Sequence, residues 1–216
     1  MSNLKVIKSL LPSRDEEFIV AASGGVDSMV LLDFIVRGGR KPIVCYFNHG
    51  TSYGDMVENG IISVCEQWEL EYLRGDIRDY PEKAKGESKE SFWRDCRYLW
   101  LEGVAREVGA SSILFGHHLN DAMENWIMTS IHGKPAIIPE KRLLASGVEI
   151  RRPLILNEKK DFYKWAESNN VWYEEDESNQ DIRFTRNRVR HNIMPEVLTA
   201  NPGFAKVILK KYLYKD

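Results

Sequence analysis

Phe18 to Leu32, FIVAASGGVDSMVLL, constrains the chain more than any other stretch. It opens with an apolar run, Phe18-Ile19-Val20-Ala21-Ala22, the pattern of a strand buried in a parallel sheet. It then turns through Ser23-Gly24-Gly25, where paired glycines permit positive φ and close approach of a ligand to the backbone. It leaves as a helix opened by Asp27-Ser28, with Val30, Leu31, Phe34 and Ile35 giving an apolar face. A strand, a glycine turn and a helix N-terminus in this order form an anion cradle suited to phosphates, because free N–H groups and the positive dipole end face one concavity. The turn is not a Walker A loop, which needs Lys-Ser/Thr at a fixed offset. It is not a dinucleotide fingerprint either, which needs G-x-G-x-x-G.

The rest of the chain supplies the partners such a strand needs. Pro42–Phe47 reads as a second strand, leaving through Asn48-His49-Gly50; Glu71–Arg74 reads as a weaker third and Ser112–Gly116 as a fourth. Helices are expected over about 54–68, 89–108, 120–131, 159–168 and 204–215, with a short lead-in helix ending near Pro12. The 54–68 helix is expected to bury Met56, Ile61, Ile62 and Val64. The 89–108 helix is expected to bury Phe92, Cys96, Leu99, Trp100, Val104 and Val108. Residues 81–88 read as polar and loop-like, and His132–Gly147, with Gly133, Pro135 and Pro139, as a loop. Strands alternating with helices give an α/β fold, a doubly wound, mostly parallel sheet. Ligands in such sheets sit outside the carboxyl ends of the strands, and Ser23–Ser28, Phe47–Gly50 and Gly116–His118 all fall there.

At 216 residues the chain is expected to be a single domain, with a core over about 15–155 and a helical, basic tail over about 156–216. A net charge of −2 means that a polyanionic partner needs a local basic patch. The three cysteines, Cys45, Cys65 and Cys96, form no C-x-x-C pair and read as buried, reduced thiols of a cytoplasmic protein. The N-terminus has no apolar signal region, and no apolar run approaches the roughly 20 residues of a membrane span. No membrane partner is expected.

Three further constellations carry chemistry. In Gly116-His117-His118-Leu119-Asn120-Asp121-Ala122-Met123-Glu124, a helix puts Asp121 and Glu124 on one face. Such a pair holds Mg²⁺ or an ammonium, or is simply an acidic first turn favoured by the helix dipole. The two histidines read as general bases, phosphate ligands or packing groups. In Glu87-Ser88-x-Glu90-x-Phe92-x-Arg94-x-x-Arg97-Tyr98, Arg94 and Arg97 share a face fit for a phosphate or carboxylate, or form a solvated face. In Asp176-x-Ser178-Asn179-x-Asp181-x-Arg183-x-x-Arg186-Asn187-x-x-Arg190, the arginines and the asparagine suit an RNA backbone and base, or pair with the preceding acids.

The string SGGVDS resembles the PP-loop of the ATP pyrophosphatases. Together with FNHG (47–50), the ES-x-E-x-x-x-R-x-x-R-Y helix, GHH-x-x-D-x-x-E, RRPL (151–154) and the arginine segment, it resembles the tRNA(Ile)-lysidine synthetase family over about residues 17–198. The resemblance implies a sheet of the PP-loop ATPase (adenine nucleotide alpha hydrolase-like) type with a helical C-terminal segment. It implies ATP and Mg²⁺ as cofactors, and tRNA and free lysine as partners. ATP would adenylate the C2 oxygen of the wobble cytidine of an isoleucine tRNA, and the lysine ε-amine would displace AMP. By position, Ser23, Gly24, Gly25, Val26, Asp27, Ser28, His49, Gly116 and His117 would bind ATP. Asp27, Asp121 and Glu124 would be catalytic, with Asp27 and Asp121 on the metal. Arg94, Arg97, Arg183, Arg186, Asn187 and Arg190 would face RNA or phosphate. The sequence departs from the family pattern at Asn120, where paired aspartates usually open the helix, and at His132-Gly133, where Arg-Gly is usual. The carboxyl-terminal tRNA-binding domains of longer members are missing, so the chain is expected to be a catalytic core. Alternatives are another PP-loop enzyme acting on a different tRNA base or a small substrate, and a non-catalytic nucleotide- or RNA-binding homologue.

Overall fold

The computed structural model describes residues 3–81 and 89–214. The polar segment at 82–88, including Glu87 and Ser88 of the expected arginine constellation, lies outside the described residues, as do the side chains of Glu90 and Glu177.

Six strands form one sheet in the order β3-β2-β1-β4-β6-β5. They are β1 (Phe18–Ala22), β2 (Ile43–Asn48), β3 (Tyr72–Asp76), β4 (Ser112–Leu114), β5 (Lys141–Leu143) and β6 (Glu149–Arg151). β1 pairs in parallel with both β2 and β4, β2 with β3, and β4 with β6; only β5 runs antiparallel. The chain crosses from β3 over to β4, so the order reverses beside β1 and opens a crevice at its carboxyl end.

Side chains of β1 alternate between the two faces, as strand geometry requires. Phe18, Val20 and Ala22 pack with Val44 and Tyr46 under α1 (Val26–Arg37), α2 (Ser52–Trp68) and α5 (Lys159–Asn169). Ile19 packs with Ile43, Cys45, Ile113 and Ile150 under α3 (Lys89–Glu107), through Leu101 and Ala105. A third cluster joins α4 (Leu119–Ile131) to the tail through Met123, Ile155, Met194, Ile208 and Tyr212. The tail is α6 (Thr185–Arg188), one π-helical turn (Val189–Ile193), α7 (Met194–Ala200) and α8 (Phe204–Leu213). This is the expected doubly wound α/β sheet with C-terminal helices.

Four expectations are corrected. The lead-in is no helix beyond a single turn at Lys8–Leu10; it is tied to the 153–157 turn by Ile7 N–H to Pro153 O and by Asn157, whose side chain bonds both Lys5 N and Lys5 O. The expected loop after Ile131 holds β5 and β6, each too short to leave a periodic pattern. On α3, Leu99 is 64% exposed and the buried stripe runs through Cys96, Leu101 and Ala105. On α2, Met56 is exposed and Val57, Ile61 and Cys65 are buried. All three cysteines are free and buried, and burial raises the Cys45 and Cys65 thiols to about 12 and about 11. Among the described residues, no helix is long and apolar enough to cross a membrane.

Candidate active site

Ser28 closes the loop on itself. Its hydroxyl donates to Gly25 O (3.0 Å) and accepts from Ser23 N (3.0 Å), with Ser23 Oγ 3.1 Å away. Gly24 sits at φ +77°, and a Cβ there would lie 2.1 Å from Val57 Cγ1, so both conformation and packing demand glycine. Gly24 O accepts from Glu174 N–H (2.9 Å), which draws the acidic segment alongside the loop. No side chain caps the α1 N-terminus at Gly25, so the cradle faces the crevice. Gly116 belongs to the same corner for a steric reason: a Cβ on it would lie 2.3 Å from Asp27 O.

His118 links the loop to α4. It is the N-cap of α4: its Nδ1 accepts from Asp121 N–H (3.2 Å), while Asp121 Oδ2 accepts from His118 N–H (2.9 Å). Its Nε2 lies 3.5 Å from Asp27 Oδ1. Burial opposes charge on His118, but Asp121 and Asp27 outweigh it and raise its pKa. Burial likewise opposes charge on Asp27 and Asp121. His118 with Lys159 holds the Asp27 carboxyl below its ordinary value, and His118 with Arg186 holds Asp121 far below.

Glu124 and Asp121 face the tail, not open solvent. Arg186 donates from Nε to Glu124 (2.7 Å) and from its terminal nitrogen to Asp121 (2.7 Å). Arg190 donates to both oxygens of Glu124 (2.7 and 3.1 Å). The π-helical turn lies between α6 and α7, a feature often found at functional sites. Arg186, Asn187 and Arg190 were expected to face RNA or phosphate, or to pair within the chain; here both arginines bond these carboxylates, and Asn187 Nδ2 bonds Ser178 O and Asp181 O. Arg183 pairs with Asp181, its preceding acid, and stays 88% exposed.

The other expected residues divide. Arg94 points to solvent against Asp95 and Ser91, whereas Arg97 faces inward and its Nε is buried with no hydrogen-bond partner. His49 stacks on Trp93 (centroids 4.8 Å apart), and its buried Nδ1 is also without a partner. Among the described residues neither atom has a partner, although buried polar atoms in native proteins are normally satisfied. Burial lowers His49 to about 4. Burial lowers His117 to about 3, and its Nδ1 accepts from Arg152 Nε (2.9 Å), so His117 is a neutral ring that donates through Nε2 rather than a general base.

Sequence reasoning missed three residues of this site. Arg152 orients His117; His118 caps α4 and touches Asp27; Lys159 Nζ bonds both oxygens of Asp27 (2.7 and 2.8 Å). RRPL flagged Arg152 as a motif member without a role; His118 was read as a general base, phosphate ligand or packing group, not as the cap of α4; nothing flagged Lys159. Asn120 also acquires a role, its side-chain oxygen accepting from Lys159 N–H (2.9 Å).

Among the described residues, no group of three or more His, Cys, Asp or Glu can hold a metal ion. Mg²⁺ is ordinarily held by one or two carboxylates plus substrate phosphates. Asp27, at the loop and a third exposed, fits that part. Asp121 does not share it here, because one oxygen holds Arg186 and the other holds the start of α4.

A doubly wound sheet whose first strand turns through a glycine cradle into a helix, beside a reversal of strand order, defines a nucleotide-phosphate-binding α/β protein. The chain belongs to the PP-loop domain family, whose model matches residues 2–197. That membership implies ATP binding. The chain is 32% identical over 213 residues to the tRNA(Ile)-lysidine synthase of Lactiplantibacillus plantarum, covering 94% of this chain and 47% of that protein. It is 34% identical over 198 residues to that of Enterococcus faecalis, covering 88% and 42%. It thus spans about half the length of the curated relatives it matches. Among solved structures, the U34-tRNA thiolase NcsA from Methanococcus maripaludis superposes with a TM-score of 0.78 at 19% identity, over 96% of this chain and 74% of that one. The NH3-dependent NAD synthetase from Campylobacter jejuni superposes with a TM-score of 0.57 at 12% identity, over 93% and 85%. At these identities the likeness is one of fold.

Proposed function

We propose that the chain carries the catalytic core of a tRNA(Ile)-lysidine synthetase, an ATP-dependent ligase of tRNA modification. The observation that carries this reading is the convergence of the loop, His117, Asp121, Glu124, Arg186 and Arg190 on one crevice. Similarity to relatives bearing that name over nearly the whole chain supports it. In the first step the C2 oxygen of the wobble cytidine attacks the α-phosphorus of ATP and pyrophosphate leaves. In the second, the lysine ε-nitrogen attacks C2, the C2–O bond breaks, AMP leaves, and the amine gives up a proton.

The loop binds the phosphates through backbone N–H groups. Asp27 is the carboxylate suited to Mg²⁺, which neutralises phosphate charge when bound. His117, held as a neutral donor, offers an N–H to a phosphate or base oxygen. Asp121 and Glu124 are balanced by Arg186 and Arg190, so the cluster presents both charges. A zwitterionic amino acid suits such a cluster, with carboxylates for its ammonium and guanidiniums for its carboxylate. Asp121, held far below its ordinary value by His118 and Arg186, is a poor proton acceptor.

The experiment is single-turnover product formation over a lysine titration, beside adenylated-tRNA formation without lysine. Lysine-dependent release of AMP from the adenylated tRNA supports the reading. AMP formation that ignores lysine rejects lysine as the amine. The Cys45 and Cys65 thiols, buried and raised, do not favour a sulfur-transfer reading.

A further inference from the structure

The loop that takes the triphosphate has no cation of its own. Ser23–Ser28 carries one charged side chain, Asp27, and it is negative. A nucleotide triphosphate brings several negative charges to this point. Walker loops meet that charge with a lysine inside the loop. Here a lysine reaches the same place from a distant element: Lys159, the first residue of α5, puts Nζ on both Asp27 oxygens.

The pair is arranged for exchange. Both side chains are about a third exposed, 32% for Lys159 and 34% for Asp27, so neither is locked away from water. The pair is half-buried, and water on its open side weakens its hold. The backbone of Lys159 is fixed, its N–H bonded to Asn120 and its helix start held by Asp161 Oδ2, which accepts from Glu158 N–H (3.0 Å). The four-carbon stem is the part free to turn. Lys159 Nζ therefore lies on the carboxylate face that a metal ion would need.

We propose that Lys159 is a placeholder cation. It neutralises Asp27 until a metal nucleotide arrives, then turns onto the β- or γ-phosphate oxygens while Asp27 takes the metal ion. This rests on the reading of the loop as an ATP site. Two consequences follow from the same swap. Lys159 favours triphosphate and pyrophosphate over AMP, and it keeps divalent cations off Asp27 when no nucleotide is bound.

The test uses the full chain, with Lys159→Met and Lys159→Arg. Calorimetry with ATP, pyrophosphate and AMP, and electron paramagnetic resonance with Mn²⁺ alone, are the readouts. Lys159→Met is expected to weaken ATP and pyrophosphate about tenfold, the lower end of a charge-assisted contact, and to leave AMP within twofold. It is also expected to bind Mn²⁺ without nucleotide where the wild type does not. Lys159→Arg keeps the cation and is expected to retain ATP affinity within threefold. Equal losses for ATP and AMP, unchanged ATP affinity, or no gain of Mn²⁺ binding in Lys159→Met would each overturn the proposal. Failure of the wild type to bind ATP would instead refute the reading of the loop.

Discussion

Replacing Glu124 by Gln isolates the charge cluster between α4 and the tail. The substitution keeps size and removes one negative charge from a side chain only 3% exposed. Arg186 keeps its 2.7 Å bond to Asp121. Arg190 keeps at most one neutral carbonyl acceptor in place of two carboxylate oxygens, and its nearest remaining carboxylate is Asp121 at 4.0 Å. Breaking a buried pair by removing one partner costs about 3–5 kcal/mol. Arg190 is 34% exposed, so water recovers part of that. The expected loss is about 2–3 kcal/mol, or roughly 4–12 °C in Tm for a chain of this size. Urea unfolding, with a double-mutant cycle to Arg190→Met, is the assay. Arg190→Met should cost less in the Glu124→Gln background than in the wild type, with a coupling of about 1–2 kcal/mol. A loss under about 0.5 kcal/mol for Glu124→Gln, with additive single substitutions, would refute the claim that this cluster holds the tail on the core.

Further outcomes follow from individual contacts. Asp27→Ala should abolish AMP formation with the fold intact by circular dichroism, because it alters the mouth of the loop and not the core; normal turnover would reject the loop assignment. Glu124→Gln should raise the lysine concentration for half-maximal product more than that for ATP; equal shifts would place the amine elsewhere. Arg183→Ala should flatten the salt dependence of tRNA binding by about one phosphate contact, whereas Arg186→Ala and Arg190→Ala should mainly lower Tm; the reverse pattern would return the inner pair to RNA. Burial lowers His49 to about 4 and His117 to about 3. The unfolded chain therefore binds these protons below about pH 6.5 while the native one does not, so both rings lower stability as pH drops from 6.5 towards 4, against the raised His118, which acts with the opposite sign. By pH 5 the loss is about 2 kcal/mol for each ring. Urea unfolding at pH 7.5 and 5.0, compared between wild type and His117→Asn, should show the variant losing about 2 kcal/mol less on acidification; the same pH slope in both would mean that His117 titrates freely.

The parts legible in the sequence are those written in local pattern. The apolar run at 18–22 became β1, and the glycines after it became the turn, because only glycine tolerates the φ of Gly24 beside Val57. Asp121 and Glu124 share a helix face, as their spacing dictates. What they face was not legible, since their arginines lie 62 to 66 residues away. Lys159 was invisible for the same reason: at the start of an amphipathic helix it reads as any surface lysine, and its bond to Asp27 spans 132 residues. The stripe of α3 was misplaced because Leu99 is apolar yet points outward. β5 and β6 are three residues each, too short for alternation to register.

The most direct measurement of the central claim is AMP release from ATP by the purified chain with Mg²⁺, across a panel of tRNA transcripts with and without lysine. The account predicts AMP in step with product only when the isoleucine tRNA bearing the wobble cytidine and lysine are both present. It predicts none from a transcript with that cytidine replaced. AMP formation indifferent to that cytidine, or dependent on a different amine or a sulfur donor, would contradict it.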